Sequence, residues 1–211
     1  MDWLDKPSRR IDDDDDNDEA GGAGTPTDLR IAALEALGRQ DEAQAVRWRY
    51  FERFLSAEHL RAYLKRLADF DDFEAEQKAL NVAAAHRQAA RGLAFFIEWR
   101  ALDRADHLVR ERLTALDGRL YEVLRPAAET LEEKYPEAAS LLYRRMIESV
   151  LDRGSSKQYQ YAARDFQSCL RLATRLSAPL SVESHAEFLA RLRKAHGRKY
   201  GFWGLIEKKG H

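Results

Sequence analysis

The chain has one cysteine, Cys169, in 211 residues, so no internal disulfide framework braces it. No apolar run approaches the roughly eighteen residues of a membrane-spanning helix, and no apolar stretch near the N-terminus marks a secretory leader. The expectation is a cytoplasmic protein with no membrane contact. Strand patterns are also missing: apolar and polar residues do not alternate, and the one hairpin-type pair, Asp117-Gly118, sits between two helical periods. Chemistry is as sparse. Six histidines form no HExxH pair, a lone cysteine cannot build a cysteine-rich zinc site, and neither a GxSxG elbow nor a glycine-rich phosphate loop occurs. Asp12 to Asp16 invite a calcium-loop reading, but Asn17 or Glu19 stands where such a loop needs glycine. Glu132-Glu133 and Asp71-Asp72 fall at helix ends, where carboxylates serve as caps and dipole partners. The reading is therefore no catalytic residue, no cofactor, no metal and no enzyme.

What the chain does have is apolar content of 45%, enough for a substantial core, and balanced charge, with 35 basic residues against 36 acidic. That balance argues against bulk-charge attachment to nucleic acid or membrane. It hides an asymmetry: residues 1–28 carry ten acids and three bases, whereas 185–211 carry seven bases and two acids. Residues 1–26 are acidic and glycine-rich with little to bury, and are expected to be disordered. A helical-repeat domain follows over 27–207, then a short tail, 208–211.

From Thr27 on, apolar residues recur at helical spacing. A helix from Asp28 stops at Gly38. The next carries two stripes, Ala43, Val46, Tyr50 and Phe54 on one side and Trp48, Phe51 and Leu55 on another, which requires burial on two sides. Ser56 caps a third helix with Leu60, Tyr63, Leu64 and Leu67 on one face, and Asp71 or Asp72 a fourth with Phe73, Leu80 and Ala84. After a break between His86 and Gly92 comes a helix with Leu93, Phe96 and Ile97, then one from Leu102 to Leu116, then one from Leu120 to Tyr135. Pro136 suits the first turn of the next helix, whose face is Ala139, Leu142, Met146 and Val150 and which Gly154 ends. Ser155 or Ser156 caps a long helix with Tyr159, Ala162, Phe166, Cys169, Leu170, Ala173 and Leu176 inward. Pro179 ends it, and Ser181 or Ser184 opens a last helix through Phe188 and Leu192. Helices of this length joined by short turns pack as antiparallel pairs. The fold expected is all-α, an irregular α-solenoid. Ala33 to Ala43, with its glycine turn, acidic cap and small alanine, looks like the inter-helix turn of a tetratricopeptide repeat, although no strict period follows it.

Two patches stand out as candidate interaction surfaces. Tyr161 and Arg164 lie on the exposed side of the long helix. Arg191, Lys194, Arg198, Lys199 and Trp203 combine bases with an aromatic near the C-terminus, the mix by which phosphates are contacted and bases stacked. The competing reading of that last stretch is structural, with Tyr200, Phe202 and Trp203 folding back to cover the end of the helix stack. The leading functional expectation is a scaffold that binds another protein. Nucleic-acid association through the basic C-terminal helix is the alternative, as is a C-terminal module of a longer enzyme or regulator.

Several stretches carry a family resemblance: 34–45 (LEALGRQDEAQA), Arg47-Trp48, 51–67 (FERFLSAEHLRAYLKRL), 69–73 (DFDDF), 101–105 (ALDRA) and 196–203 (HGRKYGFW). Together they resemble the C-terminal half of an uncharacterised proteobacterial family of helical proteins of unknown function, over about Asp28 to Glu207. Members of that family are usually longer, which implies that this chain is a shortened relative or a C-terminal piece. The closing pattern is also similar to the end of some bacterial SWIM zinc-finger proteins, whose zinc ligands have no counterpart here. The resemblance implies the helical fold and leaves activity open.

Overall fold

Helix α8 (Pro136–Asp152) buries side chains on every face, among them Ala139, Leu142, Tyr143, Met146, Ile147 and Leu151. Burial runs unbroken over 138–144, so the first half of the helix has to be surrounded, and only Arg145, Glu148, Ser149 and Asp152 make a partly open stripe on the second. In the computed structural model, which describes residues 25–68, 71–176 and 183–207, it lies against α6 (Leu102–Arg112), α7 (Tyr121–Leu131), α9 (Tyr159–Ala173) and α10 (His185–His196). Toward the N-terminus stand α1 (Pro26–Ala36), α2 (Gln40–Phe54), α3 (Ala57–Leu64), α4 (Asp71–Ala85) and α5 (Ala89–Trp99), and α11 (Tyr200–Glu207) doubles back onto α9. From α1 to α9 most helices touch their successor and many touch the one after it, the packing of stacked helix pairs in an irregular solenoid. The fold is all-α, with no strand among the described residues.

The two stripes of α2 do separate work. Ala43 and Val46 close a small satellite cluster with Ile31 and Leu34 of α1, while Phe51 and Leu55 enter the main core that runs through to Trp203. Pro136 occupies the first turn of α8 as its chemistry predicts, and Gly38 takes a left-handed φ of 73° to turn α1 into α2. Ser56 caps α3, and Ser184 with Glu187 makes a reciprocal capping box on α10. The first helix begins two residues ahead of the expected start, because Thr25 and Asp28 cap each other's backbone around Pro26.

Other expectations are corrected. Phe73 is 65% exposed, because α4 packs through Ala79, Leu80 and Ala83 farther along and buries nothing in its first turn. Leu170 is exposed too: α9 buries Leu172 instead, and Leu170 falls outside the stripe that faces α8. The Leu102–Leu116 helix is broken by a 3₁₀ turn, Leu113–Ala115. The long helix begins at Tyr159 after a second 3₁₀ turn, Ser156–Gln158, with no side-chain cap. The acidic segment, Pro179, Ser181 and the tail from 208 lie outside the described residues.

Much of the positive charge is used at joints between helices. The last carbonyls of an α-helix lack intrahelical donors, and here neighbouring side chains supply them. Arg112 reaches back to Ala84 at the end of α4 (2.6 Å), and Arg175 spans the carbonyls of Glu132 and Glu133 past the end of α7 (3.0 and 2.8 Å). The Trp203 ring N–H donates to His196 at the end of α10 (2.9 Å). Glu35 of α1 receives Arg47 of α2 (2.6 Å) and Arg66 (2.9 Å), and the Arg47 hydrogen bond holds its carboxyl below the usual glutamate range.

The turn into α7 is the tightest approach. Arg145 of α8 donates to the Leu116 carbonyl at 2.7 Å, and a Cβ on Gly118 would stand 2.3 Å from the Arg145 carbonyl oxygen and 2.6 Å from Ser149 Cβ. Backbone cannot yield as a side chain does, so Gly118→Ala is expected to cost about 3 kcal/mol or more in urea unfolding. Beside it, hydrogen bonds from the Arg119 side chain and backbone hold the Asp117 carboxyl down at about 2. A depressed carboxyl contributes stability above its unfolded value of about 4, and that contribution fades as pH falls toward 2. Arg119→Ala should return the Asp117 titration toward about 4, read by NMR.

Candidate functional site

A pocket of about 210 Å³ opens between α7 and α9 with α8 as its floor. Helical spacing builds it. Tyr121 and Arg125 stand one turn apart on α7, Met146 and Val150 one turn apart on α8, and Gln158, Tyr161 and Asp165 follow at intervals of three and four. Arg125 binds Asp165 through both guanidinium arms, at 2.6 and 3.0 Å, tying α7 to α9 across the pocket. Asp165 is only 2% exposed. Burial pushes its carboxyl above the usual aspartate range against the opposing pull of Arg125. Burial is the largest single influence on Arg125 and works against its charge, but the hydrogen bonds and negative charge of Asp165 together outweigh it and raise the guanidinium pKa. At the rim, the Tyr121 hydroxyl donates to Gln158 Oε1 (3.1 Å), and Arg153 donates to both groups. The result is an apolar socket with aromatic walls and one neutralised ion pair, suited to a single uncharged side chain.

Of the seven sequence-predicted surface residues, Tyr161 is the one that lines this pocket, and it is 47% exposed. Arg164 is exposed on the same helix, next to Asp165. The C-terminal group does not converge with them as a single face. Arg191 is held by Glu183 and by Glu148 of α8 (2.7 Å). Trp203 is 5% exposed, packed edge-on against Phe202 with the Arg193 guanidinium 4.6 Å above its ring, so it offers no open stacking surface. That burial is the covering role weighed for it, while Tyr200, expected to share it, is exposed. Lys194 and Arg198 are exposed on and just beyond α10, and Lys199 sits with its Nζ 3.0 Å from where a Cβ on Gly154 would be.

The sequence reading missed a second feature. In a polar groove of about 450 Å³, His59 Nδ1 lies 2.9 Å from Ser56 Oγ, its Nε2 lies 3.2 Å from Asp28 Oδ1, and its ring stacks on Tyr50 at 4.1 Å. Carboxylate, imidazole and hydroxyl in a row suggest a nucleophile relay, but Ser56 Oγ is already the acceptor for the first turn of α3. His59 is 8% exposed, and its Nε2 meets Asp28 off the line of a good hydrogen bond, so the contact reads as a strut from α1 to α3. Ser56-x-x-His59 is visible in the sequence, whereas Asp28, far upstream, carries no signal that it belongs there. Cys169 is equally committed: burial pushes its thiol up to about 12, and it points at the Ser140 carbonyl. Among the described residues no group of three or more histidines, cysteines and carboxylates is placed to hold a metal ion.

Removing one member of the buried pair tests its role. Asp165→Asn leaves the Arg125 charge without a counter-ion and should cost about 2–3 kcal/mol in urea unfolding. Arg125→Met with Asp165→Leu should recover most of that loss.

No curated protein and no solved structure matches the chain. The model of a family described as "Family of unknown function (DUF6880)" matches residues 2–205. Since the match takes in both the pocket helices and the closing α10–α11 pair, the chain belongs to that family of unknown function.

Proposed function

We propose that the domain is a non-catalytic helical scaffold, working in the cytoplasm, that holds another protein, with the α7–α9 pocket as the anchoring point. The observation that carries this reading is an open, apolar-floored socket with a large, exposed tyrosine at its edge. Interfaces draw most of their affinity from a few aromatic or arginine anchors seated in such pockets. The groups with reactive potential support the same reading, since Cys169, His59 and Asp165 are each engaged in packing, capping or pairing. No helix among the described residues is long and apolar enough to cross a membrane.

The nucleic-acid alternative draws less support, because Trp203 is covered and Arg191 is paired with glutamates. Lys194, Arg198 and Lys199 remain as its basis.

The full chain used as bait should retain a partner that Tyr161→Ala binds at least about tenfold more weakly. Tyr161 is exposed, so an unchanged circular dichroism spectrum checks that the variant is folded. Equal retention by both chains would remove the pocket from the reading. A purified chain that retains nothing and turns over a small molecule would remove the scaffold.

A further inference from the structure

The pocket is apolar inside, and cations stand beside the residues that line it. Arg153 reaches the rim through Tyr121 and Gln158, Lys157 precedes Gln158, and Arg164 precedes Asp165. Lys199 stands close to Gly154, at the start of the segment that leads into Gln158. None of these four cations is in a salt bridge among the described residues, and they outnumber the acids that stand nearest, Glu122 beside Tyr121, Glu129 one turn past Arg125 and Asp152 before Arg153. An occupant that satisfies both parts of the site has a bulky apolar anchor embedded in acidic sequence.

The chain itself contains one such segment. Trp3 and Leu4 are flanked by Asp2 and Asp5, and residues 2–19 carry nine acids against three bases. The segment lies outside the described residues. We propose that the pocket takes Trp3 of the chain's own N-terminal segment, the acidic residues after it lying toward Arg153 and the neighbouring cations, so that the segment competes with a partner for the anchoring point. This rests on the pocket being the partner site.

The fit is chemical as well as electrostatic. Tyr121 and Tyr161 supply aromatic walls for an indole, Met146 a polarisable floor, and the Asp165 carboxylate keeps lone pairs beyond those used by Arg125 to accept the indole N–H. Twenty-one residues lie between Trp3 and Thr25. They span up to roughly 70 Å when extended, against a radius of gyration on the order of 16 Å for a compact domain of this size. A tether of that length gives an effective concentration of about a millimolar, enough for a weak contact to be occupied much of the time.

The test uses the full chain with the photo-crosslinking residue p-benzoylphenylalanine in place of Leu4, leaving Trp3 intact, and maps the products by mass spectrometry. The expected result is a product of monomer mass, with links concentrated in the peptides that carry Tyr121, Met146 and Tyr161. Its yield should fall on the order of fivefold with Trp3→Ala or Tyr161→Ala. It should also fall between about 0.1 M and 1 M salt, as the screening length contracts from roughly 10 Å to 3 Å. Links scattered over the surface, links that Trp3→Ala leaves unchanged, or a product of twice the monomer mass would each overturn the proposal, the last by assigning the pocket to a second copy. No partner takes part, so failure here leaves the capture by Tyr161 standing, and failure of that capture leaves the crosslink standing.

Discussion

The near-complete burial of α8 is the constraint from which the rest of the C-terminal half follows. Its first half has no face to turn to water and its second only a narrow polar one, so α6, α7, α9 and α10 must each present apolar residues to it. Close contact then decides which small residues are needed: Ala138 and Ala139 where the helix begins, and Gly118 where the chain crosses over it toward α7. The pocket is a by-product of this arrangement. Two helices laid side by side on a third leave a furrow between them, and Met146 and Val150 fill its bottom without closing it.

The Arg125–Asp165 pair acts across that furrow. An ion pair this deep is not a strong source of stability by itself, because removing two charges from water costs about as much as their attraction returns. Its better-defined effect is positional. Two parallel hydrogen bonds fix the separation of α7 and α9, and so the width of the opening, while leaving no net charge inside it.

How far the sequence foretells this object depends on what kind of information each feature needs. Local signals read through directly: the Ser184 cap, Pro136 in a first turn, Gly38 turning α1 into α2 and the double stripe of α2 all rest on neighbours within a turn or two. Phe73 and Leu170 do not read through, because an apolar residue at helical spacing buries only if another helix reaches it, and partner length is not written locally. Tyr161 was legible as an exposed tyrosine. That Tyr121 and Arg125 stand opposite it depends on the crossover before α7, which periodicity does not specify. Trp203 shows the limit most plainly, since the same aromatic beside the same bases could stack on a ligand or plug the end of a core, and the path of α11 over α9 decides for the core.

The arginines set on the helix ends have a consequence for how the protein comes apart. Arg112 and Arg175 hold successive helices by offering a planar fork to main-chain oxygens, and free guanidinium ion is that same fork in solution. Guanidinium salts therefore act on this chain as competitors at the joints as well as solvents for the core, whereas urea brings no charge to the contest. The joints also keep their grip on acidification, because an arginine side chain does not surrender its proton at any pH a living compartment reaches.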